Sequence, residues 1–183
     1  MNELLHFDES LFFLINRDGQ SLFLDWLMPI WRNKYTWIPL YIGLAAFAGY
    51  KFRWKALWWG LLLALTVAAG DMISHRVIKK QVQRPRPCQT ESIREEVRLL
   101  VPCGGGYSFT SNHATNHFAL AAFFAGTTGV FFRRRRWLLY VWAFGVAYAQ
   151  VYVGLHYPLD VAAGGILGLI IGGITTFIWK RIH

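Results

Sequence analysis

The uncharged stretch ALWWGLLLALTVAAG at residues 56–70 sets the fold class of this chain. Its apolar character continues past Asp71 to Ile73, which approaches the roughly 20 residues that a helix needs to cross a bilayer. Further apolar stretches of similar or shorter length lie at residues 36–50, 113–132, 137–155 and 157–179. The pattern predicts an all-α, polytopic membrane bundle of five to six transmembrane helices.

The composition supports a membrane protein. Of the 183 residues, 55% are hydrophobic and 16% are charged, against roughly 25% charged residues in a typical soluble domain. The net charge of +9 suggests nucleic acid, but the long uncharged stretches leave no polar basic surface for it. A soluble core of buried helices is disfavoured because these stretches show almost no polar face. Small residues in the last stretch favour close helix packing in lipid: Gly164, Gly165, Gly168, Gly172 and Gly173.

Residues 1–35 differ from the rest because charged and apolar residues alternate in them. Their two apolar patches are too short to span a bilayer, so we predict amphipathic helices that lie at the interface or pack on the bundle. No secretory signal pattern is evident. The chain thus divides into this N-terminal segment and a membrane-embedded domain at residues 36–183, and the sequence leaves open whether the N-terminal segment adds a span.

Three clusters of cations, at residues 51–55, 133–136 and 180–181, fall on one side of the membrane if the apolar stretches alternate in direction. The positive-inside rule makes that side cytoplasmic. The loop at residues 75–112 then faces outward, which predicts a protein of a bacterial inner membrane with its functional residues on the periplasmic or exterior side.

This outer loop breaks the same rule, because it carries Arg76, Lys79, Lys80, Arg84, Arg86, Arg94 and Arg98. A solvated loop balanced by nearby glutamates is one interpretation, and it accounts for Arg94 and Arg98. It does not account for residues 79–86, which have no acidic neighbour. Positive charge held there against the insertion bias indicates an anionic partner.

The outer loop also contains the two cysteines of the chain, Cys88 and Cys103. On an oxidising face of a membrane we favour a disulfide between them over free thiols. Two cysteines lack the further ligands of a metal site. His113 and His117 lie four residues apart, but a hydrolytic zinc helix would carry Glu directly after the first His, where this chain has Ala114. The sequence therefore predicts no metal and no cofactor, and His117 is interpreted as a buried polar residue bonded to a neighbour.

Three glycines at residues 104–106 lead to Ser111, Asn112 and His113 at the start of an apolar helix. Glycines let the backbone expose its amides, and a helix start presents unpaired N–H groups that bind phosphate. Ser111 also suits the N-cap, and the two roles are compatible. His113, at the mouth of the helix, is available for proton transfer.

His156 and Asp160 lie four residues apart, with Pro158 suited to the first turn of a helix. Asp160 can bond one imidazole nitrogen and leave the other free to attack an electrophile. The alternative is that Asp160 only caps the helix or packs near the interface. Asp71 is a weaker functional candidate, because it could pair with a cation such as Arg76 or Lys79.

Taken together, these residues resemble the three signature motifs of the type 2 phosphatidic acid phosphatase superfamily. The motifs are Lys79 followed after six residues by Arg86 and Pro87, then Ser111-Asn112-His113, then His156 with Asp160. The resemblance covers about residues 70–170. It implies a membrane phosphatase of lipid phosphates or pyrophosphates, related in its core to vanadium-dependent haloperoxidases.

The resemblance also implies the role of each residue. Lys79 and Arg86 would bind the phosphate oxygens, and Ser111, Asn112 and nearby amides would complete the phosphate site. His156, oriented by Asp160, would attack phosphorus to form a phosphohistidine, and His113 would protonate the leaving oxygen. Phosphoryl transfer needs mainly positioned positive charge and a poised acid, which agrees with these residue types and requires no metal.

The sequence departs from the family pattern at two motifs. Thr110 and Asn112 stand at the Pro and Gly positions of the second motif, and Ala149 and Gln150 stand at the Ser-Arg positions of the third. Glutamine lacks the charge and the fork of arginine, so one phosphate contact is weakened or supplied elsewhere. Arg84 is the candidate substitute.

We therefore predict an integral membrane lipid phosphatase that acts on a phosphomonoester or pyrophosphate at the outer leaflet. The candidate substrates are a polyprenyl pyrophosphate, a phosphatidylglycerol phosphate, a phosphatidic acid and a lipid A phosphate. The alternative is a catalytically lapsed member that binds anionic head groups. A transporter is disfavoured because the polar residues gather at one surface. The sequence does not select the lipid, choose between monophosphate and pyrophosphate, or indicate the oligomeric state.

Overall fold

A computed structural model describes residues 2–182 of the chain. Met1, at the start of the predicted N-terminal segment, and His183, at the end of the predicted membrane domain, lie outside the described residues. Over this range the fold is all-helical, as predicted, with no β-strand. The α-helices are α1 (Asn2–Phe13), α2 (Leu22–Trp31), α3 (Ile38–Phe52), α4 (Ala56–Asp71), α5 (Lys79–Val82), α6 (Asn112–Gly126), α7 (Trp137–Tyr152) and α8 (Pro158–Ile182).

Helix α6 is the central element and packs against α4, α7 and α8. Three glycines of α8 lie against its backbone at four-residue spacing. A Cβ atom added at Gly168 or Gly172 would collide with a backbone oxygen of α6, and one added at Gly164 would collide with the backbone oxygen of Ser111, just before α6. The absence of side chains therefore lets the two helices touch, as the small residues of this stretch predicted. Gly173, in contrast, faces open space.

The outer surface of the bundle is strongly apolar. Leu57 is 80% exposed, and Ile42 and Phe144 are each 64% exposed. Such a surface suits contact with lipid rather than water. Two helical stretches, Lys34–Gln89 and Pro158–Ile182, have the length and hydropathy to cross a membrane. Helices α6 and α7 contain 15 and 16 residues and are shorter than a standard span.

The segment predicted as an outer loop from residue 75 begins later in the structure. The helix continues through a π-helical segment at Met72–Ile78 and through α5. It ends at Gln83, where φ is +50°. Pro85 and Pro87 follow, and proline cannot continue a helix. A disulfide joins Cys88 to Cys103, as the sequence favoured, and closes the irregular segment that follows.

The N-terminal segment forms helices, as predicted, and packs on the polar end of the bundle. Phe12 is buried against Ile93 and Tyr157. The fully buried side chain of Asn16 donates to the backbone oxygens of Arg98 and Tyr152, at 2.8 Å each. Residues 83–111 are therefore held between the bundle and the first two helices.

Candidate active site

A polar cavity of about 280 Å³ lies where α6 begins and α7 ends. Six of the residues predicted to act at the phosphate line it: Lys79, Arg86, Asn112, His113, Gln150 and His156. Ser111, Arg84 and Asp160 are outside its lining. The remaining wall is formed by Arg32, His75, Pro102, Gly104, Gly105, Gly106, Tyr107 and Leu155. Residues from all three sequence motifs thus line one cavity.

His156 lies in the tight turn between α7 and α8. Its backbone N–H donates to the carbonyl of Gln150 at 3.3 Å, and Gly154, with φ of +88°, makes the preceding reversal. Nδ1 of His156 lies 3.6 Å from Asp160 Oδ2, while Nε2 accepts from Arg86 Nη1 at 3.1 Å. Because a guanidinium only donates, Nε2 carries the lone pair and Nδ1 carries the proton. This tautomer leaves a nucleophilic nitrogen at the cavity.

Burial lowers the pKa of His156 to about 4. The charges of Arg86 and Lys79 lower it further, while Asp160 opposes them and raises it. The imidazole is therefore neutral at neutral pH, which is the protonation state that a nucleophile needs.

Asp160 is fully buried and held by several donors. Its Oδ2 accepts from the backbone N–H of Tyr157 at 2.8 Å and from the hydroxyl of Ser108. Ser108 Oγ also lies 3.4 Å from Nδ1 of His156. Ser108 thus links the carboxylate to the imidazole, and sequence analysis missed it because one serine among several in a loop gives no pattern.

Arg84 does not take the position predicted for it as a phosphate ligand. Its Nη1 donates to Asp160 Oδ1 at 2.8 Å and its Nη2 to Asp8 Oδ2 at 2.6 Å. Its guanidinium also lies 3.9 Å above the ring of Tyr157. Two buried carboxylates each need a paired charge, so they hold the guanidinium on their side of the imidazole and away from the cavity.

Asp8 extends this network to helix α1. It is 1% exposed, and its Oδ1 accepts from the backbone N–H of Leu159 at 2.8 Å. Desolvation raises the pKa of Asp8 above its ordinary value, although Leu159 and Arg84 oppose the shift. The sequence held one signal for this residue: Asp8 lies four positions before Phe12 and so on the apolar face of α1.

Backbone carbonyl groups hold the side chains of Lys79 and Arg86 in place. Lys79 Nζ donates to the carbonyls of Tyr107 at 2.7 Å and Ser108 at 3.0 Å. Arg86 donates to Gly106 at 3.2 Å, through Nε, and to Leu155 at 3.2 Å, through Nη1. Both cations are thereby pre-positioned at the cavity wall without a carboxylate partner.

Ser111 acts as the N-cap of α6, accepting from Ala114 N at 3.4 Å, and it is buried outside the cavity lining. The side chain of Asn112 is engaged by Asp71 at 3.2 Å and by Ser74 at 3.0 Å. Asp71 therefore binds an amide group. The sequence had suggested a cation such as Arg76 or Lys79 as its partner. Of the first-turn N–H groups of α6, that of Ala114 is bonded to Ser111, while those of Asn112 and His113 have no acceptor within the helix.

The two histidines of α6 differ in their surroundings. His117 is buried, with Nδ1 at 2.8 Å from the carbonyl of His113 and Nε2 at 3.4 Å from the hydroxyl of Tyr41. It is thus a buried polar residue bonded to its neighbours, as the sequence predicted. The imidazole of His113 lines the cavity. Over residues 2–182, no group of three or more His, Cys, Asp and Glu side chains is arranged to hold a metal ion.

Among the described residues that line the cavity, Gln150 and Arg32 are the two with buried side-chain polar atoms that lack a hydrogen-bond partner. Gln150 is 0% exposed, and neither Nε2 nor Oε1 of its amide has a hydrogen-bond partner. Arg32 follows helix α2, and its Nε is likewise buried and unpaired. Sequence analysis missed Arg32, although it lies just before the first apolar stretch, at the end opposite the cations at residues 51–55.

Comparisons with known proteins identify the family of this chain. The PAP2 superfamily model matches residues 56–183. A lipid A 4'-phosphatase of Bacteroides thetaiotaomicron is 34% identical over 168 residues, which cover 88% of this chain and 72% of that protein. A lipid A 4'-phosphatase of Porphyromonas gingivalis is 30% identical over 184 residues, which cover 98% of this chain and 75% of that protein.

The fold is also that of a solved membrane enzyme. The crystal structure of a transmembrane PAP2-type phosphatidylglycerolphosphate phosphatase from Bacillus subtilis superposes with a TM-score of 0.73 at 22% identity. The match covers 100% of this chain and 89% of that one. Fold and comparisons together define a helical membrane phosphatase. The chain belongs to the PAP2 superfamily, as its motifs predicted.

Proposed function

We propose that this chain hydrolyses a lipid phosphate at the outer face of a bacterial inner membrane through a phosphohistidine intermediate. The observation that carries the proposal is the position of His156 Nε2, which is unprotonated, faces the cavity and lies 3.1 Å from Arg86. A neutral nitrogen beside a fixed guanidinium is arranged to attack a group that carries negative charge.

The reaction follows from the cavity. Lys79 and Arg86 bind the non-bridging oxygens, and the first-turn amides of α6 add donors. Nε2 of His156 attacks phosphorus, so that an N–P bond forms while the P–O bond to the lipid breaks. His113 donates a proton to the leaving oxygen. Water then attacks the phosphohistidine and passes a proton back to His113, the N–P bond breaks so that Nε2 of His156 regains its lone pair, and inorganic phosphate is released.

The other buried polar residues have positioning roles in this proposal. Asp160 keeps the proton on Nδ1 and stabilises the positive charge that develops on His156 during attack. Arg84 and Asp8 hold Asp160 in place, so the proposed role of Arg84 is to position the carboxylate and not to bind phosphate. Ser111 shapes the start of α6 as its cap.

For the substrate, we propose a phosphomonoester of the lipid A type. Support comes from the names of the two relatives reported above, which are lipid A 4'-phosphatases and match most of this chain. Polyprenyl pyrophosphates, phosphatidylglycerol phosphate and phosphatidic acid are the comparison substrates, because the contacts proposed above are made to the phosphate, which all of these lipids carry.

We further propose five membrane spans, formed by α3, α4, α6, α7 and α8, with residues 1–35 covering the outer face. The cation clusters support this arrangement. Residues 51–55 and Lys180 line one groove, and Lys51 Nζ lies 5.2 Å from the ring of Phe131, near residues 133–136. The clusters thus gather at one end of the bundle. The positive-inside rule assigns that end to the cytoplasm.

Phosphate release from a panel of lipid phosphates by the detergent-purified protein tests the function. We expect turnover of a lipid A phosphate, its abolition in His156→Ala, and no change in His6→Ala, a control at an exposed histidine. Protein that is incubated with substrate labelled in its phosphate and quenched at alkaline pH, where phosphohistidine is stable, should carry the label on His156. Turnover that persists in His156→Ala contradicts the mechanism. Binding of anionic lipid without any turnover favours the lapsed-enzyme alternative.

Labelling of single introduced cysteines in a Cys88→Ser/Cys103→Ser background tests the orientation. A thiol placed at residues 133–136 should react with an impermeant reagent only after the cytoplasmic side is opened. Labelling from the outside of intact cells would invert the proposed arrangement.

A further inference from the structure

We propose that Arg32 binds the substrate phosphate directly, as a third cation beside Lys79 and Arg86. The inference rests on the proposed phosphatase function and adds a residue from outside the family-matched region, residues 56–183. Arg32 lies at the end of α2 and lines the same cavity as His113 and His156.

The first argument is that Arg32 has no partner while comparable arginines do. Arg84 is paired with two carboxylates, and Arg98 is paired with Asp25. The side chain of Arg32 makes no hydrogen bond or ion pair with any other residue in the range 2–182, and its Nε is buried. Arg32 is half-buried, and a cation whose Nε is buried without a partner is costly, so a bound anion would satisfy it.

The second argument is the charge of the cavity. Its lining contains Arg32, Lys79 and Arg86 and, within the described chain, no Asp or Glu. Burial lowers the pKa of Arg32, and the neighbouring charge of Arg86 lowers it further. In phosphoryl transfer, negative charge is spread over three equatorial oxygens. Three cations around one cavity match that distribution better than two.

The third argument is that local packing holds Arg32 in place. Its backbone N–H donates to the carbonyl of Met28 at 3.0 Å, which closes the last turn of α2. The preceding Trp31 packs against Trp37 with ring centroids 4.8 Å apart, and its carbonyl accepts from Trp37 Nε1 at 2.8 Å. A guanidinium that starts from a fixed backbone loses less entropy when it binds a ligand.

Gln150 lines the same cavity as Arg32 but brings no positive charge to it. Its buried amide can donate one or two hydrogen bonds to a phosphate, but it carries no charge. Because Arg32 and Gln150 line the same cavity, a cation at position 150 should be able to replace one at position 32. The proposal can therefore be tested by moving the positive charge from position 32 to position 150.

The experiment compares wild type with Arg32→Gln, Arg32→Lys, Arg32→Gln/Gln150→Arg and the exposed control Arg94→Gln. We expect Arg32→Gln to lower kcat/KM by about 100-fold or more, the usual effect of removing one transition-state donor. Arg32→Lys should retain an intermediate activity, and the double variant should recover at least about tenfold over Arg32→Gln. Arg94→Gln should match wild type.

Thermal unfolding with and without orthovanadate, an oxyanion of phosphate-like shape, supplies a readout independent of turnover. We expect Arg32→Gln to unfold at the same or a higher temperature than wild type without vanadate, because an unpaired buried charge has been removed. Vanadate should raise the unfolding temperature of wild type and raise that of Arg32→Gln much less.

These measurements separate the possible failures. If Arg32→Gln keeps kcat/KM within about threefold of wild type, or is protected by vanadate as well as wild type is, Arg32 does not bind phosphate. If it unfolds at a lower temperature and the double variant recovers no activity, its role is structural and the proposal is overturned. If wild type turns over no lipid phosphate, the proposed function fails, and vanadate protection alone decides whether Arg32 belongs to an oxyanion site.

Discussion

The carboxylate of Asp8 accepts a hydrogen bond of 2.8 Å from the backbone N–H of Leu159, 151 positions further along the chain. This contact joins the first helix to the first turn of α8, directly beside Asp160. Because the second oxygen of Asp8 binds Arg84, one carboxylate supports both the helix that carries Asp160 and the arginine that pairs with it.

Asp8→Asn should therefore weaken both stability and activity. Removal of one partner from a buried ion pair typically costs about 3–5 kcal/mol, and we expect the free energy of unfolding to fall toward that range. A small displacement of Asp160 should lower kcat by about tenfold to 100-fold. Thermal unfolding and phosphate release check the two effects, with the exposed Glu3→Gln as the matched control. An Asp8→Asn protein with wild-type kcat would show that Asp8 does not help to position Asp160.

The disulfide should tighten the phosphate site. It connects Cys88, two residues after Arg86, to Cys103, directly before the glycines whose carbonyls Arg86 contacts. Closing a loop of 15 residues contributes about 3 kcal/mol in the chain-entropy model. We expect Cys88→Ser/Cys103→Ser to unfold at a lower temperature and to show a higher KM. Dithiothreitol should reproduce this change in wild type and leave the double variant unaffected. A wild type whose thiols are reduced without any change in KM would contradict the prediction.

The acid side of the pH profile should reflect the low pKa of His156. Burial lowers it from 6.5 to about 4, and the reactive form is the neutral one. Activity that depends on this residue is thus present above about pH 5 and lost as the pH falls through about 4. We expect kcat/KM to show no decrease from His156 near pH 6.5. Because a substrate phosphate also titrates, two substrates with different phosphate pKa values should be compared. A limb near pH 6.5 that is the same for both substrates would contradict the assignment.

Contact between α6 and α8 should make Gly168 intolerant of a methyl group. A Cβ at Gly168 would collide with the backbone of Thr115, whereas a Cβ at Gly173 would meet no atom within 4 Å. Overpacking typically costs about 1–3 kcal/mol, while Ala gains up to about 1 kcal/mol over Gly in an open helical position. We therefore expect Gly168→Ala to lower the unfolding temperature and activity, and Gly173→Ala to leave both unchanged or raised. Equal behaviour of the two variants in thermal unfolding would contradict this packing.

Hydropathy predicted the positions of the main helices because it depends on local composition. The apolar stretches at residues 36–50, 56–73, 113–132, 137–155 and 157–179 correspond to α3, α4, α6, α7 and α8. The motif residues Lys79, Arg86, His113 and His156 could be chosen from sequence for a related reason: each motif lies within a few residues of a helix end, so its spacing is visible along the chain.

Contacts across the chain could not be predicted in this way. The prediction for Arg84 rested on its charge and its nearness to Arg86, and it lacked the knowledge that Asp8 and Asp160 would flank it. Ser108 and Arg32 reach the site only when the irregular segment that follows α5, and helix α2, fold onto the bundle. Such contacts join residues that are far apart in the sequence, and a local sequence pattern does not predict them.

The family match begins at residue 56, yet the buried network starts at Asp8 and the cavity wall includes Arg32. A fragment trimmed to the matched region would keep both histidines of the proposed reaction. It would expose Arg84 and Leu159 to water and remove one wall of the cavity. For grafting, truncation or domain exchange, the smallest segment that keeps the site intact therefore reaches back at least to α1, well before residue 56, where the family model begins to match.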